Sequence, residues 1–525
     1  MASVEVELIE DGEDDPSSPG APGRGTSTGR SDERTDEHAT RSSRGRHTGR
    51  WWLVGAAAVL VGGAVVGQHV LDARHEARVS RFDGVPGVLR PLADPPVVGR
   101  ELPVDVGSSL TQVGSSLLVA EVHEDAGDVR FELVDRGTGE TLHRASVELP
   151  DTLVAQARRL ASAPVVACRP LGTVHAACVA GPSGLVLEDD PVPDLLVVLD
   201  TTTGEVVDRR DVVEETWTTS GDTVVVATAE RTSGTPPVQH TWTLTATTAT
   251  GEVAWAWTAA EPVVTADGLA MVGASLDADS SRVLLAGTEH WWLLDPSGTL
   301  LREGEAPVST WTGLGRSGTL LQATYSDSDG PVTRLYPAAP DVRTGIEVPG
   351  SPGGLTVDDG SAAGVALAWA DTTEGTTVSA LDAGTGRTLW SRVAVGRGAV
   401  LLDDTLYVGA ADHVLALDAR TGATVWDVTT RAYDPLLATD GRSIVVIEED
   451  GWLAALRTDD GAVLWEARPE RPGATGSDLG AWIMPYEGVL LYAGDGSEPA
   501  RILTAGPAAA TAAVPRSTPG PRGTS

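Results

Sequence analysis

The 525-residue chain contains no lysine and no asparagine; all 38 of its basic residues are arginines. Those absences remove a Schiff-base lysine, a phosphate-loop lysine and an asparagine amide as a ligand. Cysteine is scarce too, at two residues, and there is no adjacent Cys-Cys pair and no C-x-x-C-H haem attachment. The ten histidines are scattered, with no H-E-x-x-H and no pair at i, i+2 or i, i+4, and no G-x-S-x-G elbow supports a serine hydrolase. Positive charge is short as well. The net charge of −36 argues against nucleic-acid binding, which needs clustered cations to displace phosphate counterions, and fits a wet, self-repelling surface. Aromatic residues make up only 4%, yet 15 of them are Trp against 2 Phe. That skew gives tryptophan a dedicated structural post.

Long apolar runs are also rare, with one exception. From Trp51 to Leu71, "WWLVGAAAVLVGGAVVGQHVL", 21 residues carry no formal charge, enough to cross a bilayer as one helix. Arg41, Arg44, Arg46 and Arg50 precede it with no acid between them, whereas Asp72–Arg81 mixes both signs. The positive flank places the N-terminus inside and the bulk outside. A cleaved signal peptide competes with this reading, but its charged lead and apolar core are normally shorter. Residues 1–50, acidic and then rich in Ser, Gly, Thr, Arg and Pro, read as a disordered cytoplasmic tail. Residues 72–98, with four prolines, read as a linker, and 506–525 as a disordered C-terminal tail. Arg-only basic residues among abundant Ala, Gly, Val and Thr are the composition of a high-GC genome, with an actinobacterium as the expected source.

What fills 99–505 is a repeat. "LALDARTGATVWDV", Leu415–Val428, is an apolar strand, a turn and a second strand with a tryptophan. Related phrases turn at Gly139, Gly204, Gly251, Gly298, Gly386, Gly422 and Gly461, at steps of 65, 47, 47, 88, 36 and 39 residues. A worn copy at Gly345 splits the 88 into 47 and 41, giving eight units. Such a period points to propeller blades. Asp418 opens the turn, where a short carboxylate bonds to backbone N–H groups further on, and Gly422 supplies the left-handed backbone that the hairpin needs. Strands such as "LLVVL" (195–199) and "SIVVI" (443–447) are apolar on both faces, as in sheets covered front and back. Helical periodicity is weak after residue 72; only Asp151–Ala163 suggests a short helix.

The pattern L-D-x-x-T-G-x-x-x-W resembles the repeat of the pyrroloquinoline-quinone (PQQ) enzyme family and its non-catalytic relatives. The resemblance implies an all-β, eight-bladed (alternatively seven-bladed) propeller. It further implies that Trp255, Trp390, Trp426 and Trp465, each four positions after its turn glycine, dock between blades on the next glycine turn. His143, Asp208 and Arg302 occupy that position in other copies. A ring of blades must close to hide its edges, so Ser115–Asp135 and Gly488–Leu503 are expected to share one sheet.

Quinoprotein dehydrogenases of the family hold PQQ and Ca²⁺ with Asn and Glu ligands and often an adjacent-cysteine disulfide. No such features are visible in this chain, so no catalytic, cofactor-binding or metal residues and no cofactor are assigned. Cys168 and Cys178 flank a turn at 170–172 and could face one another across a hairpin. In an exported domain a disulfide is favoured; two buried thiols are the alternative. "SDSDG" (326–330) lacks the later acid of a calcium loop and reads as a hairpin tip. Trp291-Trp292 reads as sheet filling ahead of a ligand platform.

The expected protein is a single-pass plasma-membrane protein, N-terminus cytoplasmic, displaying a non-catalytic PQQ-like propeller outside the cell. It would bind or scaffold a protein, peptide or glycan of the cell envelope, and no nucleic acid. Family analogy to envelope-assembly scaffolds supports that role. The alternatives are a membrane-tethered PQQ-dependent oxidoreductase and, last, a sensor signalling through its helix.

Overall fold

A computed structural model describes Ala77 and Ser80–Ala505 apart from Asp83, 103–107 and a set of loops, the longest being 183–191, 266–273, 325–331, 338–344 and 470–481. All described residues lie in one compact unit that starts at Asp72. The expected membrane helix (51–71), both tails and "SDSDG" lie outside the described residues. Among those described, no helix is long and apolar enough to cross a membrane.

The described residues form an all-β propeller of nine sheets, antiparallel but for one parallel strand pair, one blade more than eight. Blades 1 to 8 follow chain order at 109–148, 164–212, 216–258, 275–305, 310–349, 351–393, 399–429 and 436–467. Each runs from the axis outwards as four strands, and the hairpin joining the third to the outermost holds one of the repeated turns, except in blade 5, where that loop (338–344) lies outside the described residues. Blade 9 has no such turn. Its inner three strands are Trp482–Tyr486, Val489–Ala493 and Arg501–Ala505, and its outermost is the closing strand Pro96–Glu101 from the other end of the chain. The two are joined in space, with Val97 opposite Thr504, and need no hairpin, so a count of turn glycines misses this blade. The terminal sheet is therefore completed by residues 96–101 and not, as expected, by 115–135, which are strands two and three of blade 1.

The apolar character of both strand faces follows from the ring. Successive residues of a strand point to opposite faces, and in each blade those faces serve different neighbours. Ile444 packs with Val414 and Leu402 of blade 7, while Val445 packs with Leu490 and Tyr492 of blade 9. Leu285 meets Leu244 of blade 3, and Leu284 meets Leu320 of blade 5. The circuit closes where Leu491 and Ile502 of blade 9 meet Leu117 and Val119 of blade 1. Each such buried Leu or Ile stabilises by about 1.5–3 kcal/mol.

Two local departures shape the scaffold. Helix α1 (Asp151–Leu160) carries Asp151 in its first turn and Arg158 and Arg159 in its last, which complements the helix dipole. Its Leu153 is buried in the core between blades 1 and 2. In blade 6 the innermost strand splits. Ser351–Pro352 pairs within its own blade, and Leu355–Asp358 pairs in parallel with the inner strand of blade 7. Gly353 sits just before the crossover because the Trp369 ring occupies the space of a Cβ.

Candidate functional site

The face carrying the glycine turns, here the lower one, is regular. Asp418 Oδ1 accepts from the backbone N–H of Arg420 at 3.1 Å and of Thr421 at 2.8 Å, and from the Thr421 hydroxyl at 2.8 Å. Asp135, Asp200, Asp295 and Asp382 open their turns in the same way. At Asp418 the Thr421 hydroxyl leads in holding the carboxyl below its ordinary range. At Asp382 it is the Thr385 hydroxyl, and at Asp200 that of Thr202. At Asp295 the Ser297 hydroxyl leads. At Asp135 burial pushes upward, and the Thr138 and Gly137 N–H groups outweigh it. Gly139, Gly204, Gly251, Gly298, Gly386, Gly422 and Gly461 all have positive φ, at 68–83°, where a side chain is strained.

At five of the turns the side chain four positions after one turn glycine reaches the next; Gly345 instead meets Tyr336 and Arg334, not Arg302, and Gly386 meets Ile346. The Trp255 ring lies on Gly298, that of Trp390 on Gly422 and that of Trp426 on Gly461, so close that a Cβ would come within 2.6–2.9 Å. His143 takes the same seat over Gly204, and Asp208 with Arg210 sits over Gly251. Trp390 Nε1 donates to Ala419 O at 2.9 Å and Trp426 Nε1 to Thr458 O at 2.8 Å. Trp465 has no ninth turn to meet, and donates to Leu92 O at 3.0 Å. Trp255 Nε1 is buried without an acceptor among the described residues. The cause is local: Gly422 N–H closes its turn on Asp418 O, four residues back, whereas Gly298 N–H closes on Asp295 O, three back. The shorter turn withdraws the carbonyl that the other indoles use. These residues are inter-blade structure.

The upper face, opposite, is irregular. It holds α1, the extended second and third strands of blade 3 (Thr223–Ser233 and Val238–Thr248), and an extra strand, Val263–Thr265, paired with them. Between blades 3 and 4 at this rim lies a cavity of about 630 Å³, whose lining includes Glu261, Glu289, His290, Trp292, Glu303 and Glu305. His290 stands opposite Glu305 and Trp292 opposite Glu303 across the two outer strands of blade 4, which puts all four on one face. The His290 ring packs 4.7 Å from that of Trp292, centroid to centroid, and its Nε2 lies 3.7 Å from Glu303. In the sequence nothing marks these acids beyond the alternation of Glu303 and Glu305. Trp291 and Trp292 are both buried sheet filling. Among the described residues no group of three or more His, Cys, Asp or Glu is placed to hold a metal ion. The inner strands instead expose Trp311, Trp482 and Tyr486.

Cys168 and Cys178 are directly opposed on the first two strands of blade 2 and joined by a disulfide. Asp194 opens the third strand of the same blade, where burial pushes its carboxyl up to about 7.

Fold and turns together define a β-propeller built on a repeated glycine hairpin turn. Residues 374–512, about a quarter of the chain, match the family model described as outer membrane protein assembly factor BamB. Among solved structures, BamB from Moraxella catarrhalis is 16% identical, with 78% of this chain and 100% of that one covered and a TM-score of 0.35. Quinohemoprotein alcohol dehydrogenase ADHIIG from Pseudomonas putida HK5 is 12% identical, covering 86% and 85%, with a TM-score of 0.35. Saccharomyces cerevisiae Sqt1 is 9% identical, covering 78% and 98%, with a TM-score of 0.36. No curated protein matches the chain.

Proposed function

We propose that this chain is a non-catalytic, membrane-anchored propeller that works as a binding or scaffold module at the cell envelope. The propeller lies outside the cytoplasm and takes a protein, peptide or glycan on its upper face. The observation that carries this reading is the asymmetry of the two faces. Lower-face turns are short and alike, whereas helix, added strand and acidic cavity all belong to the upper one. Irregular features on a rigid scaffold are where binding resides. The acidic lining favours a partner segment bearing Arg or Lys. The family description matched by residues 374–512, an assembly factor, agrees with a scaffold role.

The test is photo-crosslinking in membranes from position 303 on the upper rim and from position 421 on a lower turn. Adducts from 303 alone are expected; adducts from 421 alone would reverse the assignment of faces. Adding PQQ, Ca²⁺ and an artificial electron acceptor to the purified protein should give no acceptor reduction. Turnover there would replace this reading with an oxidoreductase.

A further inference from the structure

The stretch expected to be a spacer is fastened to the ring. From Arg81, which pairs with Asp403 of blade 7, the chain runs across the lower ends of the inner strands towards blade 1. Phe82 is buried against Val400 and Ile444 of blades 7 and 8, and a Cβ on Gly441 would come within 2.8 Å of its ring. Gly87 N–H donates to Gln112 Oε1 of blade 1 at 3.0 Å. On its other side a Cβ would stand 2.5 Å from Thr356 O, beside the inner strand of blade 7. One residue thus touches the inner strands of blades 7 and 1. Val88 O accepts from Arg136 Nη1 at 2.9 Å. Leu89 N–H donates to Thr439 O and Leu92 N–H to Asp440 Oδ2, each at 2.8 Å. The chain then passes between blades 8 and 9 and becomes the closing strand.

The fastening differs in kind from the rest of the fold. No described residue from Arg81 to Leu92 belongs to a strand, so its ties are isolated hydrogen bonds and an ion pair, with no ladder among them. The closing strand, by contrast, is held by a ladder along Arg501–Ala505. Only Phe82, Val88, Leu89 and Leu92 of this segment are buried apolar residues. An element with few apolar contacts and no ladder opens at lower free energy than the sheets beneath it. We propose that Arg81–Leu92 is a latch: seated, it bars the lower mouth between blades 7 and 1; released, it opens that mouth while the blades stay folded. Whatever binds or pulls the chain before Arg81 then governs access to the channel from below.

In the full-length chain both native cysteines are paired, so an introduced thiol is the only free one. Val88→Cys should react with a maleimide roughly ten-fold or more faster than Val445→Cys, buried in blade 8. Gly87→Ala, whose Cβ has no room, should speed Val88→Cys again and leave Val445→Cys unchanged. Equal rates at the two positions, or equal acceleration, would mean that the segment opens only with the whole fold, and the latch is wrong. Gln112→Cys, beneath the strap, should gain the same acceleration; continued protection would show that release leaves the mouth shut. Hydrogen exchange of the unaltered protein gives the same reading without substitutions. The Leu89 and Leu92 amides should exchange faster than that of Val445, and matched rates would again refute the proposal.

Discussion

At the scale of the residue, the repeat works through the seat four positions after each turn glycine. An indole there fills space and satisfies a carbonyl, and the two contributions separate by substitution. Trp390→Ala should cost about 3–5 kcal/mol in denaturant unfolding through the cavity it leaves. Trp390→Phe should cost roughly 1–2 kcal/mol more than Trp255→Phe, because only Trp390 loses a hydrogen bond, to Ala419 O. Equal costs would show that the shortened Asp295 turn does not matter. The turn carboxylates carry the pH dependence. A carboxyl whose folded pKa is lowered stabilises the fold above its unfolded pKa and loses that contribution as pH falls through the folded value. Asp382, Asp418 and their equivalents are of this kind, so stability should fall below about pH 4, and Asp418→Ala should make that fall shallower. Asp194 works in the opposite sense. Its folded pKa is raised to about 7, so the stability linked to its proton is present in acid and is lost as pH rises towards 7. Asp194→Asn should therefore raise the unfolding midpoint at pH 8 and leave it nearly unchanged at pH 4; a midpoint unmoved at both would refute the assignment.

At the scale of the element, the disulfide of blade 2 closes a hairpin of ten-residue separation. A loop of that length contributes roughly 2–3 kcal/mol through the unfolded chain, so reduction should lower the unfolding midpoint while the native spectrum persists. A midpoint unchanged by reductant would mean that the strand pairing from Pro164 to Pro182 already supplies the whole constraint. That hairpin was legible because both of its strands are local in sequence, and the seven described glycine turns were legible for the same reason. The short helix was also readable, over the described residues Asp151–Leu160. What the sequence hid is what has no local signature. The outermost strand of blade 9 lies some 400 residues from its partner and reads as Pro-rich polar chain. The crossing of Leu355–Asp358 to a neighbouring blade looks like an ordinary Gly-Gly loop. The upper-rim acids escaped notice because Glu303 and Glu305 sit on an outer strand, where alternating polar residues are the rule, and only the cavity beside them sets them apart.

At the scale of the whole molecule, nine inter-blade cores form a circuit, so no blade has a free flank only so long as the seam holds. An open array of repeats unravels from its ends, each unit being stabilised by its neighbours; closing the ring removes the ends. The seam depends on one strand. Val98 of the closing strand is buried with blade 8 residues, and Leu102, just beyond it, with blade 1 residues. Two such side chains contribute about 3–6 kcal/mol together, before the ladder along Arg501–Ala505 is counted. Two shortened chains separate this seam from the strap that precedes it. A chain beginning at residue 95 keeps the closing strand and loses Arg81–Leu92; one beginning at residue 103 loses both. The first should unfold in a single cooperative transition at a midpoint somewhat below that of the full chain. The second should unfold at a much lower midpoint and over a broader range, because blades 9 and 1 become ends. Matching midpoints and widths for the two would mean that the ring is held by something other than its joined termini.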